Sequence, residues 1–128
     1  MVGMMTDRRH AARERRQAGR VKAVFAVKKA LLDRAGAFQL CQAEDIAPAG
    51  MTIKRPKGGQ VVPRTEVALS FALPGSQEQI SARGVVVSDA AAGAFRRTGV
   101  RFITLRPDHA QLIAGYCRRR ASRSVAER

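Results

Sequence analysis

The sequence predicts a mainly β protein, a small antiparallel β-barrel with one C-terminal α-helix. Three observations predict it. Short segments of alternating apolar residues recur at even spacing, turns rich in Pro and Gly separate them, and one helical apolar stripe follows Pro107. The 128 residues suit a single domain able to bury its own core, and a hydrophobic fraction of 45% lies in the globular range.

Residues 1–13 read as a flexible basic tail, for which a frayed chain and a short helix through His10–Arg16 both fit the pattern. From Val21 the pattern changes, because Val21, Ala23, Phe25 and Val27 alternate with Lys22, Val24, Ala26 and Lys28, as a strand with one buried face requires. Leu31-Leu32 extends this strand toward a turn at Asp33–Gly36. A second strand passes through Phe38, Leu40 and Ile46. Pro48, which lacks a donor, and Gly50, which tolerates a left-handed backbone, then predict a tight turn. Met51–Ile53 is a third strand and Lys54–Gly59 a basic loop.

Val67, Leu69, Phe71 and Leu73 alternate again, Pro74–Gln77 turns, and Ile80, Ala82, Gly84 and Val86 return, so residues 65–88 read as a hairpin. Asp89–Gly93 is expected as a loop and Gly99–Ile103 as the last strand. Pro107 and Asp108 suit a helix start. Leu112, Ile113, Tyr116 and Cys117 form a stripe that docks on the barrel, and residues 121–128 read as a polar tail.

Several functions are disfavoured. No apolar run approaches the ~20 residues of a membrane span, and the N-terminus is too short for a signal peptide, so a cytoplasmic protein without membrane insertion is expected. Cys41 and Cys117 are isolated and read as small core residues. With His10 and His109 as the only histidines, no metal and no cofactor is expected. There is no nucleophile elbow, Walker loop or dinucleotide fingerprint, and the adjacent Glu44 and Asp45 would point to opposite faces of a strand. The chain is expected not to be an enzyme.

The charge points elsewhere. Twenty-four Lys and Arg against ten acids leave a net +14, a field that concentrates anionic partners. Nucleic acid is disfavoured, because one Tyr, five Phe and no Trp make a thin stacking platform, and the single helix needs its apolar stripe for the barrel. Two places remain. Arg15, Arg16 and Arg20 precede the first strand, and guanidinium forks match both phosphate oxygens and the guanine edge. Taken alone, such a run is more often a solvated basic leader. Asp45–Gly50 is the second place. Its carboxylate either caps the turn or accepts donors from a guanine edge.

In this order the two places carry a resemblance. Arg16-Gln17-Ala18-Gly19-Arg20, led by Arg15, matches an Arg-x-x-x-Arg motif before the first strand. Asp45-Ile46-Ala47-Pro48-Ala49-Gly50 matches Asp-x-Ser-x-x-Gly except at Ala47, and Thr98-Gly99-Val100-Arg101-Phe102 looks like a closing strand. The chain resembles the PilZ domain family, receptors for the bacterial second messenger cyclic di-GMP, with the domain spanning residues 14–120. The resemblance implies a six-stranded antiparallel barrel with a C-terminal helix. It implies that Arg15, Arg16, Arg20, Asp45, Ala47 and Gly50 form the ligand site, that the chain changes conformation on binding, and that it signals to an effector protein. Ala47 removes one hydroxyl, a loss of ~0.5–1.5 kcal/mol of binding. The alternative it raises is a degenerate adaptor that acts by protein–protein interaction without nucleotide.

Overall fold

Alternation of apolar and polar residues sets the walls of the molecule. The computed structural model describes residues 19–31, 38–56 and 63–126. Six strands, β1 (Val21–Leu31), β2 (Gln39–Ala47), β3 (Gly50–Pro56), β4 (Glu66–Phe71), β5 (Ile80–Ala92) and β6 (Phe95–Leu105), precede one helix, α1 (Pro107–Ala126). All pairings are antiparallel. The order β1-β2-β3-β6-β5-β4 closes on itself because β1 bonds to both β2 and β4. The expected barrel is therefore present, and closure leaves no strand edge among these six.

The inward set is the one the alternation marks. Ala23 and Val27 of β1, Val67, Leu69 and Phe71 of β4, and Ile80 and Val86 of β5 are buried in one cluster, with Phe25 and Phe71 rings 5.5 Å apart. The α1 stripe seals this core, as Ile113, Tyr116 and Cys117 are buried and the Cys117 thiol donates to the Ile46 carbonyl at 3.6 Å. Both cysteines are free and buried, and burial pushes both thiols up. No helix among the described residues is long and apolar enough to cross a membrane.

Four boundaries differ from the sequence expectation. Lys54 and Arg55, expected in a loop, belong to β3. Residues 89–92 belong to β5, so the β5–β6 turn falls at Gly93, whose φ of 65° is in the left-handed region. The last strand begins at Phe95 rather than Gly99, and α1 continues through residues 121–126, where no Gly or Pro stops it.

Buried charge explains why the longer strands hold together. Asp89 on β5 has a fully buried side chain. It accepts hydrogen bonds from Arg55 Nη2 of β3 at 3.1 and 3.2 Å, from Arg96 Nε of β6 at 2.9 Å and from Thr98 Oγ1 of β6 at 2.6 Å. Arg55 Nε also donates to Thr98 Oγ1 at 3.1 Å. Alternation on β1 also carries Lys29 inward, where it is 4% exposed. Burial lowers its pKa, the Cys41 thiol and the Asp89 carboxylate oppose that, and Arg55 adds to it.

Two outcomes follow for stability. Asp89→Ala leaves Arg55 buried without its carboxylate and is expected to cost ~3–5 kcal/mol in urea unfolding; an unchanged midpoint would show the network to be dispensable. Lys29→Met is expected to raise stability at neutral pH, since the folded state holds the Lys29 proton less tightly than the unfolded chain does. That gain should shrink as pH rises toward the ordinary lysine value of 10.5, which unfolding curves at neutral and alkaline pH would reveal.

Candidate functional site

The site begins with an irregularity in β2. The β2–β3 register shifts between Ala43 and Asp45, which is a bulge. Adjacent strand residues should point to opposite faces, as the sequence reading assumed for Glu44 and Asp45. The extra residue instead leaves both half-buried between the buried Ala43 and Ile46. Glu44 turns toward the outward residues of β3 and β6. Arg97 donates to it at 2.6 and 3.2 Å and holds its carboxyl below the usual range, and Lys54 lies 3.9 Å away.

Asp45 serves the other direction. Its Oδ1 accepts the Thr52 backbone N–H at 3.1 Å, and Arg20 Nη1 stands 3.3 Å from the same oxygen. Arg20 Nη1 also donates to Thr52 Oγ1 at 3.1 Å. Arg20, Asp45 and Thr52 thus form a closed triangle that ties the chain before β1 to the β2–β3 hairpin. One residue earlier, Gly19 lies so near Pro48 that a Cβ would meet its Cδ at 3.0 Å. Gly19 and Arg20, the described end of the basic run, are therefore seated on the hairpin turn.

Gly50 is present for a different reason than the turn argument supposed. Its φ is not positive, the positive-φ glycines being Gly75 and Gly93. It pairs with Arg101 of β6, and a Cβ there would stand 2.2 Å from the Val100 carbonyl oxygen. What Gly50 supplies is close approach of β3 to β6, reinforced where the Phe102 N–H donates to the Ala49 carbonyl at 2.8 Å.

Of the six residues named from sequence, the fold brings Arg20, Asp45, Ala47 and Gly50 to one end of the β2–β3 hairpin. Ala47 is buried and presents no polar side-chain atom. Arg15 and Arg16 lie outside the described residues. Sequence reasoning missed Thr52, although the period-two rule puts it on the same face as Gly50 and so signals it. It also missed Arg101, an exposed guanidinium carrier whose role as Gly50's partner depends on the β3–β6 register.

A second polar cluster joins Glu78, Asp108 and His109, with ligand-type atoms within 4.8 Å of one another. Two of these three residues already accept hydrogen bonds. Arg106 bonds to both Asp108 oxygens at 3.1 and 3.0 Å, and His109 Nδ1 accepts the Ser81 N–H at 3.4 Å.

Known proteins place the whole in context. No curated protein matches the sequence. The fold is similar to the inhibitor of motility MotI/DgrA from Bacillus subtilis, at 18% identity and a TM-score of 0.72, covering 81% of this chain and 50% of that one. The chain therefore spans half the length of that protein. It is also similar to the PilZ domain of YcgR from Escherichia coli, solved with c-di-GMP, at 13% identity and TM-score 0.63, covering 84% and 92%. A third likeness is the PilZ domain of CeSA from a cellulose-synthesizing bacterium, at 18% identity and TM-score 0.58, covering 76% and 96%. The family model for the PilZ domain matches residues 14–119, which takes in the basic run from Arg15 to Arg20, all six barrel strands and most of α1; this chain belongs to the PilZ domain family.

Proposed function

We infer that this protein is a receptor for cyclic di-GMP that passes its signal to a protein partner without catalysing a reaction. One observation carries this reading. Arg20 of the basic run stands 3.3 Å from Asp45 and 3.1 Å from Thr52, which joins the two family motifs on one surface. The PilZ domain of YcgR, which the fold resembles, was determined with c-di-GMP. Cyclic di-GMP presents two phosphates and two guanine edges, the targets that guanidinium forks and a carboxylate suit.

Each residue then has a role by its chemistry. Asp45 accepts the N–H donors of a guanine edge. Arg20, with Arg16 and Arg15 before it, takes phosphate oxygens and the guanine O6 and N7. Gly50 keeps the hairpin against β6, so that the floor under the ligand stays flat. The Arg20–Asp45 contact is half-exposed, and such pairs contribute only ~0.2–1 kcal/mol, so a ligand displaces it at small cost. Release of Arg20 would move the chain before β1 relative to the barrel, which is a conformational signal rather than a chemical one.

Calorimetric titration with cyclic di-GMP tests the reading. Wild-type protein should give saturable heat, and Arg16→Ala and Arg20→Ala should each weaken binding by ~5- to 150-fold, the range of one lost bidentate contact. No heat at tens of micromolar protein, or full binding by both variants, would overturn it. Gly50→Ala should lower the unfolding midpoint as well as the affinity, because its Cβ would collide with the Val100 carbonyl; a loss of binding with an unchanged midpoint would contradict that role. Ala47 is the one observation favouring a nucleotide-free adaptor. A partner whose affinity ignores both cyclic di-GMP and the Arg16 and Arg20 substitutions would establish that second reading.

A further inference from the structure

The outer wall of the barrel carries a second feature, away from the Arg20–Asp45 surface. Among the described residues, β1, β4, β5 and β6 together form an open, mainly apolar groove of ≈ 560 Å3. Its floor is made of small side chains paired across the sheet, Ala30 with Ala68 and Ser70 with Ser81. At its rim stand Phe38, 64% exposed and covered on one side by the Lys28 ammonium at 5.4 Å from the ring, and beyond the register partner Arg83–Thr104 the cation Arg106. Leu40, the register partner of Lys28 and 60% exposed, extends the apolar surface past Phe38.

An exposed aromatic beside a concave apolar strip, rimmed by Lys28 and Arg83 (Arg106 being paired with Asp108), is the complement of a segment that is apolar on one face and acidic on its flanks. Four neighbouring strands at ~4.8 Å spacing give a width of ~14 Å, which accommodates a helix ~10 Å across. Strand addition is not available here, because the barrel closes and leaves no unpaired edge among the described strands. A second copy of this chain is a poor occupant, since two surfaces of a +14 protein repel each other.

We propose that this groove docks an acidic amphipathic helix of the partner protein. It rests on the adaptor half of the function inferred above, for which it supplies the surface and the chemistry of the partner. Lys28 and Arg83 steer and register the helix, and its apolar face covers Phe38 and the Ala68 strip.

The probe is a synthetic helix-forming peptide of about 18 residues with Leu at i, i+3, i+4 and i+7 and Glu on the flanks, titrated into the isotope-labelled full chain and followed by amide shifts. A scrambled peptide of the same composition and one with Lys for Glu serve as comparisons. The expected result is saturable shifts at Phe38, Ser70, Ser81 and Arg83 with the patterned acidic peptide alone. Lys28→Glu with Arg83→Glu should weaken that binding about tenfold. Ala68→Tyr, which fills the groove without changing charge, should abolish it while the thermal midpoint stays that of wild type.

Equal binding of the scrambled peptide, shifts mapping elsewhere, or undiminished binding by Ala68→Tyr would overturn the proposal. So would self-association that perturbs the same amides without peptide, or capture by phosphatidylglycerol vesicles where the peptide fails. A parallel cyclic di-GMP titration separates the two inferences. Peptide binding without nucleotide binding leaves the groove standing and removes the receptor reading, and nucleotide binding without peptide binding does the reverse.

Discussion

A carboxylate with no access to water must be surrounded by donors, and Asp89 obtains them from both β3 and β6. Arg55 reaches it from β3, and Arg96 and Thr98 reach it from β6, so the network locks the register in which Arg55 lies opposite Arg96. The same ladder, followed away from Asp89, puts Ile53 against Thr98, Thr52 against Gly99 and Gly50 against Arg101. A slip of one residue would turn every side chain of β3 to the other face. The position of Thr52 and Gly50 beside Asp45 thus depends on a charge cluster several residues away. Removing one partner of such a cluster leaves the others buried and uncompensated, which is why its contribution far exceeds that of the exposed pairs around the site.

The contrast between the two ion pairs suits their functions. Arg55 and Asp89 are almost wholly withdrawn from solvent, whereas the Arg20 side chain is 40% exposed and that of Asp45 20%. The first pair belongs to the scaffold and is costly to disturb. The second is screened by water and weakly held, which is what the proposed displacement by an anionic ligand requires. The bulge at Ala43–Asp45 allows this division of labour, because it lets Glu44 bind Arg97 and Lys54 while Asp45, on the same outer wall, faces Arg20.

Among the described residues, basic charge is spread over the barrel and helix rather than gathered at one place. Arg20 and Arg101 stand near the hairpin end, Lys28, Arg83 and Arg106 rim the groove, and Arg118–Arg120 lie along the exposed part of α1, where Arg120 Nη2 donates to the Lys22 carbonyl at 3.1 Å. A field of this kind attracts many anions, and selectivity has to come from fixed geometry. The barrel supplies that geometry in two forms: a polar surface with paired donors and acceptors, and an apolar concavity with charged borders.

Much of this was legible in the residues themselves. Period-two alternation located β1, β4 and β5 and shorter β-like runs the other three strands, the i, i+1, i+4, i+5 stripe located the face that α1 buries, and the Arg16–Arg20 and Asp45–Gly50 spacings pointed to the family, because these are local patterns that any chain of this sequence carries. Local patterns say nothing about what stands across a sheet. Only the tertiary structure made Asp89 a buried hub instead of a loop residue and turned Glu44 and Asp45 to the same wall through a bulge. It also gave Gly50 its purpose, since the Val100 carbonyl that excludes a side chain there comes from a strand distant in sequence, β6. Side-chain period is a property of one strand, whereas burial, charge pairing and backbone clearance are properties of two or more, and those are set when the barrel closes.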